Sequence, residues 1–324
     1  MWRTIFQYDP IPALLTSADD ALFYNIQRDL LAEHGEERNK VWESRPVERI
    51  VRSQNAQGYW EYPGKQPGKE IGENYHLIQT WKMLRLLVGK YALDRGHQVI
   101  QRAAEYVFSC QTEQGDIRGI LSNQYIPYYN GVILELLIQA GYGQDERVLR
   151  ALDWLLDMRQ NDGGWIIPAN MYSLTQYYQF AAGEPIPPRR ESSSSHMATG
   201  MVLRAFCRHP RYNERAGVFQ AAGLLASRLF QKDTFTFRQA PAYWFKLQYP
   251  FWWTTLLSAL DALARCGFDR DDLRIKKGLD WFIKNQTAEG LWLTSYDKTS
   301  PSADAWVTFA VCRMAKLFFD NKNC

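Results

Sequence analysis

The sequence has no long apolar run. Gly131-Val132-Ile133-Leu134, continuing past Glu135 to Ile138, is among its most apolar stretches, and it falls far short of the roughly 18 to 20 residues that cross a bilayer. No transmembrane segment is expected. Charge of one sign is also lacking: 38 basic residues stand against 35 acidic ones, for a net charge of +3. Without a block of roughly five like charges there is no field to gather nucleic acid. The first ten residues, Met1 to Pro10, carry no basic stretch followed by an apolar one and a small-residue cleavage site, so export is not signalled and a cytoplasmic location is expected. The cysteines Cys110, Cys207, Cys266, Cys312 and Cys324 are odd in number, far apart and without a C-x-x-C pairing. Four of them fall in apolar helical stretches, where a thiol behaves as a small hydrophobe. Neither a disulfide framework nor a metal site is expected.

What is present is aromatic and periodic. Tryptophan, tyrosine and phenylalanine make up 14 % of the chain, within an apolar fraction of 46 % that can fill a substantial core. Gln54-Asn55-Ala56-Gln57-Gly58-Tyr59-Trp60 reads Q-x-x-x-G-x-W, and Gln286 to Trp292 repeats it with every fixed position kept. Three degenerate copies lie between: Gln111 with Gly115 and Ile117, Arg159 with Gly163 and Trp165, and Gln231 with Phe235 and Phe237. The glycine position recurs at 58, 115, 163, 235 and 290, steps long enough for a helical hairpin with its loops.

Each copy closes a helix with apolar residues at spacings of three and four, such as Val148, Ala151, Leu152 and Leu155, or Ile275, Leu279 and Phe282. Such helices are amphipathic and pack by one face. After each copy comes a polar or proline-containing loop and then a helix that is apolar nearly all round: Tyr75 to Val88, Tyr129 to Ala140, Met197 to Phe206, Phe251 to Ala264 and Ala303 to Phe318. Helices of that kind are buried on every side. Five or six hairpins of this type, with a less regular first pair through Asp20 to Glu33, predict an all-α closed double ring, an (α/α) toroid, in a single domain over 1–324. A local extended stretch is expected at Thr234 to Phe237. An axial cavity is expected where the inner helices start, with the stretch 166–195, rich in glycine, proline and serine, as a mobile loop beside it.

The Q-x-x-x-G-x-W copies followed by an inner helix resemble the repeat shared by squalene and hopene cyclases, class II terpene cyclases and protein prenyltransferase beta subunits, over roughly residues 40 to 324. The same kind of ring resembles polysaccharide lyases and non-catalytic binding proteins, so the resemblance implies a scaffold more strongly than a chemistry. Class II cyclases carry a D-x-D-D acid, and Asp269-Arg270-Asp271-Asp272 matches the string. Its alignment with Gly143-Gln144-Asp145-Glu146 places it at the start of an outer helix, where carboxylates serve as caps. The cyclase acidic motif instead falls at Asp304, in the first turn of the last inner helix. The prenyltransferase zinc set of Asp, Cys and His finds no cysteine near an inner-helix start, and no D-D-x-x-D run is present to bind diphosphate through magnesium. No cofactor is expected.

The inner-helix starts supply the candidate site: Glu73, Tyr75 and His76; Tyr128, Tyr129 and Asn130; His196; Trp252 and Trp253; Asp304 and Trp306. Asp304, Glu73 and His76 are the candidate catalytic groups, because a carboxylic acid desolvated in an aromatic cavity is poised to donate a proton. The aromatic residues would hold an apolar small molecule and stabilise a cation through their ring faces. The reading is of a terpene-cyclase-like lyase or isomerase, with a sugar lyase using His76, His196 or Tyr128 and a binding protein without catalysis as the alternatives.

Overall fold

The structure, a computed structural model, describes residues 2–16, 19–33, 38–166, 181–234, 238–295 and 301–320. Outer and inner helices alternate along the chain. A short outer helix, Ile11–Leu15, precedes α1 (Asp20–Asn25), which continues as a π turn over Ile26–Leu31. Then follow α2 (Arg45–Arg52), α3 (Tyr75–Gly89), α4 (Gln98–Ser109), α5 (Pro127–Leu137), α6 (Glu146–Asp157), α7 (His196–Arg208), α8 (Ala216–Ser227), α9 (Leu256–Arg265), α10 (Leu273–Lys284) and α11 (Pro301–Asp320). The odd-numbered helices line the inside and the even-numbered ones coat it. Among the described residues extended structure is limited to two isolated bridges, Gln111 with Ile117 and Gly119 with Ser122. Residues 235–237, where an extended stretch was expected, lie outside the described residues.

Capping and burial follow the sequence pattern. Asp145 accepts the Arg147 N–H at 2.9 Å to start α6, and Val148, Ala151, Leu152 and Leu155 are its buried face. In α7, by contrast, residues from His196 to Cys207 are buried on all sides. Inner helices approach closely where a side chain is absent: a Cβ on Gly131 of α5 would stand 2.5 Å from the Val202 Cα of α7.

The motif residues bind each hairpin to the next. Gln54 Nε2 donates to the Gly58 and Val99 carbonyls, both at 2.9 Å, and Gln111 Nε2 likewise donates to Gly115 and Arg147 at 2.7 and 2.8 Å. Where arginine replaces glutamine, Arg159 Nη1 reaches the Gly217 carbonyl at 3.0 Å. The tryptophans look inward and back: the indole N–H groups of Trp60, Trp165 and Trp292 donate to Ile50, Leu155 and Phe282 carbonyls. Their backbone N–H groups are received by threonines of the inner helices, Thr80, Thr199 and Thr308. Gly58 has φ +92°, and a Cβ there would lie 2.2 Å from the Arg102 carbonyl oxygen, so the turn requires glycine both for its backbone and for the approach of α4.

Closure comes from the two ends of the chain. Gln286 Nε2 donates to the Tyr8 carbonyl and the Tyr8 N–H donates back to Gln286 Oε1. Trp306 Nε1 donates to Asp19 Oδ2, and Lys316 Nζ donates to the Asp29 and Leu30 carbonyls. The Asn25 amide reaches the Lys90 carbonyl just past α3. With α1 seated between α11 and α3, six inner helices form a closed ring.

Two expectations are corrected. Cys207 of α7 and Cys266, next to the last residue of α9, are joined as a disulfide across a Cα separation of 5.2 Å; two thiols distant in sequence meet because their helices are neighbours in the ring. The inner helix α9 begins at Leu256 rather than Phe251. Thr255 and Ser258 cap it reciprocally, each side chain accepting the other's backbone N–H at 3.4 and 2.9 Å. That box fixes the start, and the aromatic residues before it are left as a connecting segment.

Candidate functional site

That segment, 246–254, crosses the axis of the ring. Tyr249 Oη donates to the Gly89 carbonyl at the end of α3, on the side opposite α9. Arg85 of α3 donates to the Pro250 carbonyl, and Arg204 of α7 to the Trp252 carbonyl. The segment therefore takes up part of the space inside the ring where an axial cavity was expected. The adjoining space, lined by His196, Met197, Arg238, Tyr243, Trp244, Trp253, Thr254 and Thr255, has a volume of about 10 Å³, room for about one water.

The segment completes an aromatic array. Trp81 meets Tyr129 edge-on at 5.2 Å and Trp252 at 5.2 Å; Trp252 stacks on Trp253 at 5.3 Å. Tyr128 lies 4.9 Å from Tyr129. Two guanidinium groups sit over the rings: Arg85 at 5.2 Å from Trp252, and Arg238 at 4.5 Å from Trp253. The ring faces thus already accept cations. Burial pushes the Tyr129 hydroxyl up to about 12, against the Trp252 hydrogen bond and the arginines that favour its charged form. His196 packs on Trp244 at 4.5 Å with Asp233 at 3.8 Å. Burial outweighs that carboxylate and holds the imidazole below its ordinary value.

Glu73 and Tyr75 stand at the edge of the array. Glu73 Oε2 accepts from Tyr75 Oη at 2.7 Å, and the same hydroxyl accepts the Gly68 N–H at 2.9 Å. Burial first, then the Glu73 hydrogen bond, raise the Tyr75 hydroxyl. The Tyr75 ring is 5.1 Å from Tyr62, which is within electrostatic reach of the Tyr129 hydroxyl.

The remaining predicted site residues are placed elsewhere. Asn130 is fully buried, and its amide clasps the Ile117 N–H and carbonyl at 2.7 and 3.0 Å. It takes the position that threonine holds in the intact repeats, as a support of the second motif. His76 stacks on Tyr59 at 4.5 Å beside Glu61, between α3 and the outer layer. Asp304 Oδ1 accepts the Thr294 N–H at 2.7 Å, a tie between the helix start and the preceding loop. Trp306 is buried against Tyr249 and Asp19 at the ring closure. Asp272 caps α10 through the Arg274 N–H, as aligned from sequence. Of the stretch 166–195, residues 167–180 lie outside the described residues; the part from Ala181 onward bonds to Asn123 and to the third motif, where Gln160 Nε2 donates to the Ser192 carbonyl.

Sequence reasoning missed Trp81, Arg85, Tyr62 and Arg238. Trp81 read as core, and neither arginine lies at an inner-helix start; the inward turn of 246–254 is what recruits them. Among the described residues no group of His, Cys, Asp and Glu is arranged to hold a metal, and no helix is long and apolar enough to cross a membrane.

Residues 77–187 match the squalene-hopene cyclase C-terminal domain family. This cyclase-like repeat spans α3 to the loop before α7, the part of the ring that contributes Trp81, Arg85 and Tyr129, and it supports a terpene-cyclase-like function. No curated protein sequence matches the chain. Among solved structures, a protein from Actinoplanes is similar at 13 % identity and a TM-score of 0.45, covering 98 % of this chain and 89 % of that one. The type II terpene cyclase MstE from Scytonema, in complex with its substrate geranylgeranyl dihydroxybenzoate, is similar at 12 % identity and a TM-score of 0.34, covering 95 % and 99 %. Its complex with the product merosterolic acid A gives 12 % and 0.33, covering 95 % and 98 %.

Proposed function

We propose that this protein is a cyclase-like enzyme, a lyase or isomerase, acting on an isoprenoid or comparably apolar small molecule by proton-initiated chemistry. The observation that carries the reading is the array of Trp81, Tyr129, Trp252 and Trp253 on the ring axis, whose faces already bind guanidinium cations. Each such face is worth about 0.5 to 2 kcal/mol to a cation. Glu73 is the proton donor that the placement favours. In its neutral form it adds a proton to an alkene carbon, leaving a carbocation opposite the rings and a carboxylate that accepts from Tyr75, the hydrogen bond present here. Asp304, committed to the Thr294 N–H, serves the fold in this scheme. His196, Tyr128 and Tyr75 would border a guest held against these rings.

The occupied axis favours a second reading, a binding protein without catalysis. One experiment separates them. The protein is incubated with a panel of linear polyprenyl compounds, and products are resolved by gas chromatography and mass spectrometry. Cyclised product from the native chain and its loss in Glu73→Gln support the enzyme; binding of a polyprenyl compound with no conversion supports the second reading. Undiminished turnover by Glu73→Gln removes Glu73 from its role.

A further inference from the structure

Below the aromatic array, toward the C-terminal ends of the inner helices, the ring encloses arginines in excess of carboxylates. Glu135 of α5 pairs with Arg204 at 2.9 Å and with Arg208 at 3.1 Å, both from α7. Asp261 of α9 is shared by Arg265 at 2.9 Å, Arg313 of α11 at 3.5 Å and Arg208 at 3.9 Å. Asp29, which faces Arg313 and Arg265, is itself paired with Arg28 at 2.6 Å. Five guanidinium groups therefore meet three carboxylates, and the excess sits where it is expensive: Arg204 is 2 % exposed and Arg313 9 %. Buried charge that is not fully offset destabilises the fold.

The two most buried arginines also have donors to spare. Arg204 Nε faces Glu135 as an ion pair and Nη2 donates to the Trp252 carbonyl, while Nη1 has no acceptor among the described residues. Arg313 commits Nη1 to Tyr249 Oη, and its Nε has none among them. Both guanidinium groups flank one ring, Phe251, at 5.8 and 6.0 Å. From there the cluster leads outward by increasing exposure, through Arg208 at 13 % to Arg265 at 21 % of the side chain. Arg265 and Arg270 line a groove of about 920 Å³ at the ends of α9 and α11, together with Leu317 and the carboxylates Glu214, Asp269 and Asp271.

We propose that Arg204 and Arg313 form a binding site for a small oxyanion, a phosphate or a carboxylate, reached from that groove past Arg265 and Arg208. Guanidinium donors match such oxygens in geometry and charge, and an anion there would offset the excess charge while giving the spare N–H groups an acceptor. The site is independent of polyprenyl turnover: it needs only the arginine cluster.

The test is thermal unfolding of the full chain in chloride, phosphate and acetate at equal ionic strength. The expected result is a saturable rise of a few degrees in phosphate or acetate over chloride. The larger of the two rises identifies the oxyanion. Arg204→Met and Arg313→Met are expected to lose that rise while unfolding in chloride no lower than the native chain, since each removes a surplus buried charge. Arg52→Ala, on the surface, is expected to keep it. Equal midpoints in all three salts, or a rise retained by both methionine variants, overturns the proposal. Should neither variant fold, the line width of inorganic phosphate in ³¹P spectra of the native protein decides: saturable broadening supports the site, and broadening that only grows in proportion to protein overturns it.

Discussion

Gln286 clasps the backbone of Tyr8 from both sides, its Nε2 donating to the carbonyl at 2.8 Å and its Oε1 accepting the N–H at 3.0 Å, across 278 residues of chain. The bond is the last of a series that elsewhere joins consecutive hairpins, and here it joins the end of the chain to its beginning. Gln286→Ala is expected to cost about 1 to 3 kcal/mol, since it strands two backbone groups. Hydrogen exchange should localise the loss, with the amides of residues 2–16 exchanging faster and those of α5 and α7 unchanged.

Arg159 does the work of a motif glutamine by a different reach. Arg159→Gln, which restores the repeat, is expected to change stability by less than about 1 kcal/mol, whereas Arg159→Ala, which frees the Gly217 carbonyl, costs about 1 to 2 kcal/mol. Urea unfolding midpoints of the two variants check the contrast.

At Gly58 the backbone angle and the Arg102 carbonyl oppose a side chain together. Gly58→Ala is expected to destabilise by about 2 to 4 kcal/mol, by the same measurement.

The disulfide closes a loop between positions 59 residues apart, so Cys207→Ser is expected to lower stability by about 2 to 4 kcal/mol. A reductant should lower the unfolding temperature of the native chain and leave that of the variant unmoved. Such a bridge persists in oxidising compartments and is reduced in the cytoplasm. Thiol counts on protein isolated from cells therefore report on the compartment it occupies.

His196 gives a pH dependence of defined sign. Burial holds its folded-state value below the ordinary 6.5, so the unfolded chain takes up the proton first as pH falls. Its contribution to stability is whole above about pH 6.5 and declines below it. Urea unfolding followed by tryptophan fluorescence at pH 7.5 and 5.5 should show a drop for the native chain that is smaller in His196→Gln.

The ring was legible because it is written as a repeat: glutamine, glycine and tryptophan stand at set offsets within a copy, and the structure repeats the backbone tasks of each. Asp272 was legible for the same reason, by alignment with Asp145. The site was legible only where a residue's local position decides its direction. Tyr129 and His196 lie in the first turns of inner helices, where their rings meet Trp81 and Trp244. Asn130, one residue on, is turned away by the 3.6-residue helical period and spent on the Ile117 turn. The course of 246–254 had no signal in the repeat. Its aromatic run has the composition of a buried helix, and only the Thr255 and Ser258 pair, read as a cap, would have shifted the helix start and released Tyr249 to Trp253 as a connection. The bridge between Cys207 and Cys266 escaped for want of a short spacing; adjacency of α7 and α9 in a ring is a long-range fact.

The crossing of the axis by Tyr249 to Trp253 makes the protein its own competitor. A guest that needs the faces of Trp252 and Trp253 must first win them from Arg85 and Arg238, tethered rivals that never diffuse away. Its measured affinity is then the intrinsic affinity scaled by the fraction of molecules in which those guanidinium groups have withdrawn from the rings. Removing a rival cation, as in Arg238→Gln over Trp253, would tighten the binding of a guest on that face.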